Sequence, residues 1–113
     1  MNQKEVKMVI CTFPNMEKAR QIGTSLVKMQ LVACVNLIPG IQSVYSWEGK
    51  VEAQEEVMAF FKTSAARYDE LEQKVMEMHP YELPELVVVD LAEGLSAYLQ
   101  WVLSSTQSAD DTR

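Results

Sequence analysis

Apolar and polar positions follow two rhythms along this chain. Lys4 to Thr12 reads as a strand in which Val6, Met8, Val9, Ile10 and Cys11 form an apolar run, the pattern of a strand covered on both faces. Phe13-Pro14-Asn15 breaks it. Asn15 suits a helix N-cap, and Glu17 falls in the first turn, where the helix dipole favours negative charge. Met16, Ala19, Ile22, Gly23, Leu26 and Val27 then recur at three- and four-residue spacing and define one buried helix face.

Leu31 to Ile38 predicts a second strand, interrupted at Pro39-Gly40 and resumed from Ile41 to Trp47. A Pro-Gly pair inside a strand indicates a bulge or an edge position. Ile41, Ser43, Tyr45 and Trp47 share one face of it. Glu48-Gly49-Lys50 predicts a tight turn, with Gly49 able to take a positive φ. Val51 to Lys62 is a third strand, polar on one face in its first half and apolar on both faces in its second. The tip of this hairpin is therefore expected to project beyond the core.

Thr63-Ser64 is expected to open a second helix, with Tyr68, Leu71, Val75 and Met78 on its buried face and Pro80 as its stop. Glu85 to Leu91 predicts a fourth strand, and Leu95, Tyr98, Leu99 and Val102 a short closing helix. Residues 1–103 read as one domain and 104–113 as a polar tail. The order β-α-β-β-α-β plus a last helix is the split βαβ or ferredoxin-like pattern of the α+β class. It places two helices on one face of an antiparallel sheet of strand order 4-1-3-2. Strand three then separates Cys11 from Cys34 by about 10 Å, beyond disulfide reach.

Composition narrows the function classes. The 113 residues carry 10 basic and 16 acidic groups, for a net charge of -6. Residues 1–30 hold five basic and two acidic groups, and the remainder five and fourteen. An acidic body without a basic stripe argues against nucleic acid as a partner. No apolar run reaches the roughly 20 residues of a membrane span. The N-terminal residues lack the apolar core of a signal peptide, so a cytoplasmic protein with reduced cysteines is expected. One histidine, His79, excludes a multi-histidine zinc site within one chain.

The strand directions bring the end of strand one, the end of helix two and the strand 2–3 turn to one end of the sheet. Cys11, His79 and Trp47 thus approach one another. Thiolate and imidazole suit copper or zinc, and thiolate with the thioether of Met78 suits Cu(I). Plainer roles stand beside these: Cys11 as packed core, Met78 as the end of the helix-two stripe, His79 as a helix C-cap. A Cys–His pair also suits nucleophile and base, but no orienting carboxylate or oxyanion hole accompanies it, and no enzyme is expected. Lys62, Tyr81 and Glu85 lie beside apolar segments and would line an anion or metabolite cleft, or else be ordinary surface groups. Glu52, Glu55 and Glu56 read as a solvated face of the hairpin, against weak binding of a hard cation. Strand two is long and lies at a sheet edge, and the projecting hairpin has no core of its own chain beneath it, which predicts a homotrimer with Trp47 in an interface or cleft.

Ordered segments across residues 6–103 carry a resemblance. They include Val9-Ile10-Cys11-Thr12, the run Leu31 to Gly40, Tyr45-Ser46-Trp47-Glu48-Gly49-Lys50, Phe61-Lys62-Thr63, His79-Pro80-Tyr81-Glu82-Leu83-Pro84-Glu85 and Tyr98-Leu99-Gln100-Trp101. In this order and spacing the chain resembles the CutA family, the divalent-cation tolerance proteins. The resemblance implies a ferredoxin-like homotrimer similar in architecture to PII signalling proteins, with the long hairpin completing sheets between subunits. It implies a part in copper and divalent-cation tolerance, with weak metal binding. The alternative is a PII-like regulatory module that takes a small metabolite in an inter-subunit cleft. The family's proposed copper ligands carry over onto Cys11 and His79, and Met78 stands where the family has a first histidine.

Overall fold

Why the chain takes the split βαβ form is visible in how each element ends. The computed structural model describes residues 5–107. Its elements are β1 (Val6–Phe13), α1 (Met16–Lys28), β2 (Cys34–Trp47), β3 (Lys50–Ser64), α2 (Tyr68–Met78), β4 (Leu86–Asp90) and α3 (Ser96–Ser105). The sheet order is β2-β3-β1-β4, antiparallel throughout, as the pattern predicts. Lys4, the expected start of the first strand, lies outside the described residues.

Asn15 caps α1: its Oδ1 accepts the Lys18 N–H at 2.8 Å. The far end closes with Leu31 N–H donating to Leu26 O and Gln30 N–H to Val27 O, around Gln30 at φ 59°. This is the Schellman arrangement, with glutamine where glycine is usual. The buried Arg67 guanidinium reaches the carbonyls of Gln30 and Met29 at 3.4 and 3.3 Å and adds to that cap.

One face of the sheet is covered. Val9, Cys11 and Phe13 of β1 and Val57, Ala59 and Phe61 of β3 form a core with Ala19, Ile22 and Leu26 of α1 and Leu71 and Val75 of α2. The opposite face is covered at one end only, where α3 lays Leu99 and Val102 on Val6 and Ala33. The rest of that face carries Met8, Ile10, Met58 and Phe60, with Ile38, Val87 and Val89 exposed beside them in register.

β1 pairs with β3 only from Val57 to Ser64, so Ile41–Trp47 and Lys50–Glu56 run on as a two-stranded ribbon. Principal extents of 50 × 27 × 22 Å follow from this projection. The register shifts between Ile38 and Ile41, where Gly40 takes φ 76°, so Pro39-Gly40 is the expected bulge. At the tip, Glu48 and Gly49 both have positive φ, 51° and 82°. That is the two-residue type I′ turn, whose twist matches the strands.

Three boundaries differ from the pattern's prediction. Thr63 and Ser64 do not open a helix; they continue β3 opposite Lys7 and Val6. The reason is local: Thr63 Oγ1 donates to the Leu31 carbonyl at 2.6 Å in the core, and a short 3-10 turn at Ala65–Arg67 precedes α2. Leu31 to Ala33 precede β2 as a buried link, with Ala33 N–H donating to Lys62 O at 2.7 Å. At the other end, Ser104 and Ser105 belong to α3 rather than to a polar tail, and buried Thr106 donates its hydroxyl to Val102 O at 2.8 Å. Residues 108–113 lie outside the described residues.

Candidate functional site

Two neighbouring features occupy the end of the sheet where β1 and α2 finish. The first is a buried latch. Pro80 stops α2 at Met78, and His79 leaves the helix in extended conformation with its N–H on Val75 O. Its ring stacks on Phe13 at 4.7 Å between centroids. Nε2–H donates to the Thr12 carbonyl at 2.7 Å, and Nδ1 accepts the Tyr81 N–H at 3.1 Å. These two bonds specify the neutral tautomer protonated on Nε2. Burial lowers the His79 pKa against the smaller opposing pulls of Thr12 O and Glu56.

Cys11 meets the same carbonyl, with Sγ 3.8 Å from Thr12 O. Its side chain is fully buried. Burial first, and the nearby carboxylates of Glu85 and Glu56 next, push its thiol up to about 12. Met78 packs partly buried against the core. Topology therefore does bring Cys11 and His79 together. It does not leave them as ligands: the thiol is protonated and enclosed, both ring nitrogens are already bonded, and the thioether fills core space. Among the described residues no three Cys, His, Asp or Glu side chains converge on a cation position. This donor set does not fit a copper centre in the closed chain.

The second feature is an open groove of about 860 Å³ between the ribbon and the 80–85 loop. Tyr45 and Trp47 line it from β2, Glu56 from β3, and Tyr81 and Glu85 from the loop. Trp47, Tyr81 and Glu85 thus lie along one groove. Lys62 does not: it lies further along β3, opposite Cys34 and Met8, and its Nζ donates to Asn36 Oδ1.

Glu56, by sequence part of a solvated cluster, instead lines the groove. It is only 7% exposed and accepts the Tyr81 hydroxyl at 2.6 Å, while Glu52 and Glu55 are exposed. Burial and the Glu56 carboxylate raise the Tyr81 pKa, so Tyr81 stays a donor. The available signal was register: Glu56 pairs with Ile41 at the step where β3 turns from polar to apolar. Tyr45 donates its hydroxyl to Gln54 across the ribbon at 2.7 Å, which fixes its ring at the groove wall.

The model of the CutA1 divalent ion tolerance protein family matches residues 7–105. A divalent-cation tolerance protein CutA from Thermus thermophilus is 39% identical over 100 residues, 88% of this chain and 97% of that protein. The human protein CutA is 39% identical over 107 residues, 95% of this chain but 60% of its own length. A solved structure described as the periplasmic divalent cation tolerance protein CutA from Archaeoglobus fulgidus superimposes with a TM-score of 0.87 at 32% identity, covering 90% of this chain and 99% of that one.

Proposed function

The chain belongs to the CutA1 divalent ion tolerance family, and from that premise we propose that it serves divalent-cation tolerance as a cytoplasmic homotrimer that catalyses no reaction. One observation carries the assembly. The sheet face opposite α1 and α2 is apolar and largely uncovered, and it runs on into a ribbon with no core of its own chain beneath it. Such a face and an open strand edge call for partner copies. The groove then lies at a subunit border.

Copper affinity through Cys11, His79 and Met78 is expected to be weak in this reading, because a His79 ring nitrogen has to give up its hydrogen bond and the buried Cys11 thiol has to lose its proton. Light scattering on a column tests the assembly: a mass about three times 12.8 kDa supports it, and a stable monomer at micromolar concentration overturns it. Growth of a host lacking its own relative, with and without this chain, under copper, zinc or cadmium challenge tests the tolerance role.

The groove favours a second reading, a PII-like regulatory module that binds a small molecule. Its volume lies within the range of small-ligand sites, and it joins aromatic walls to a few polar groups.

A further inference from the structure

The groove has a one-sided chemistry. Glu56, Glu82 and Glu85 line it, and none of the residues this chain contributes to it is Lys, Arg or His. Tyr45, Trp47 and Tyr81 supply aromatic surface, with Trp47 41% and Tyr45 40% exposed at the mouth. Glu56 sits at the base with little solvent, and the neutral Tyr81 hydroxyl donates to it. A carboxylate so placed keeps most of its charge uncompensated, and a low local dielectric strengthens its attraction for a cation.

Three classes of occupant differ sharply against this lining. An anion would meet three carboxylates and no cation. A bare divalent ion needs six or more oxygen ligands, or a tight set of softer ones. No such convergence exists among the described residues. An organic ammonium ion needs only one or two carboxylates for its charge and aromatic faces for its body, which is how quaternary and protonated amines are recognised elsewhere.

We propose that the groove is a binding site for an organic ammonium ion with an apolar or aromatic body. Glu56 and Glu85 take the charge, Trp47, Tyr45 and Tyr81 pack on the body, and Met58 closes the floor. This names the ligand class for the small-molecule reading above and rests on it. The 80–85 loop is held in place by the His79 latch, so this chain's wall of the site is formed before the ligand arrives.

The test is calorimetric titration of the assembled full chain at neutral pH with three matched probes: phenethylammonium, uncharged 2-phenylethanol and anionic phenylacetate. Phenethylammonium is expected to bind, the alcohol at least about tenfold more weakly, and phenylacetate not at all. Glu85→Gln, at an exposed position that leaves the core intact, and Trp47→Phe, which keeps an aromatic ring, should each weaken the ammonium about fivefold or more while the column mass stays that of the parent assembly. Equal binding of ammonium and alcohol, or preference for phenylacetate, overturns the ammonium assignment while a small-molecule groove survives. Binding unchanged in both variants places the ligand elsewhere and overturns the site. Absence of binding by all three probes overturns the site and the small-molecule reading together.

Discussion

His79 Nε2 lies 2.7 Å from the carbonyl oxygen of Thr12, joining the end of α2 to the end of β1 across 67 positions of sequence. The same ring holds the Tyr81 N–H through Nδ1. One side chain thereby ties the helix layer to the loop that walls the groove. The consequence is that histidine here is a structural part whose neutral form is required.

His79→Phe should keep the stack on Phe13 yet leave the Thr12 carbonyl and the Tyr81 N–H without their partner. The expected loss of stability is about 2–3 kcal/mol by denaturant unfolding. His79→Gln, which can donate and accept, should lose about half as much. The folded pKa of His79 is lowered, so the unfolded chain takes up a proton that the folded chain resists. Stability is present above the ordinary histidine value near about 6.5 and falls as pH drops below it. His79→Phe should flatten that acid limb, and an unchanged limb would remove His79 from this role.

Cys11 works in the opposite direction. Its folded pKa is raised to about 12 from 9.0, so stability is present below about 9 and lost as pH rises toward 12. The loss should approach about 1.4 kcal/mol per pH unit within that window. Tyr68 and Tyr98 also titrate high, so the quantity to measure is the difference between the parent and Cys11→Val across the window.

The same shift bears on copper. Competition against a chromophoric Cu(I) chelator under anaerobic conditions should show weak affinity that keeps rising about tenfold per pH unit beyond pH 9, with no plateau where an unperturbed thiol would level off. Cys11→Ser should remove that pH dependence. Met78→Leu should change it little, since the thioether packs on the core. Tight binding at neutral pH lost in Cys11→Ser would show the latch to be open in solution.

Trp47→Ala should weaken the trimer on dilution while circular dichroism of the folded chain stays close to the parent. Trp47 sits at the last paired position of the ribbon, opposite Lys50, outside the core formed by the helices and β1. Assembly unchanged on dilution would detach the ribbon from oligomerisation.

Gln30→Gly should raise stability by about 0.5–1 kcal/mol. Gln30 holds φ 59° at the end of α1, a left-handed position that costs a side-chain-bearing residue and suits glycine. Thermal unfolding of the pair decides it, and a lower melting point would mean that the freedom glycine gives the unfolded chain outweighs the relieved strain.

Much of this architecture follows from local pattern. The helical spacing from Met16 to Val27, the N-cap at Asn15, the bulge at Pro39-Gly40 and the turn at Glu48-Gly49 are short-range decisions, made by periodicity and by which residues accept a positive φ. The strand order follows in turn from the order of elements. Tertiary contact decided what local pattern cannot encode. Thr63 reads as a helix start until the Leu31 carbonyl claims its hydroxyl from 32 residues away. Glu56 reads as a solvated acid until Tyr81 covers it from 25 residues away. Cys11 and His79 read as metal donors because residue type states only what a side chain can do. Whether a lone pair is free depends on what else has reached it, and here the Thr12 carbonyl and the Tyr81 N–H arrive first.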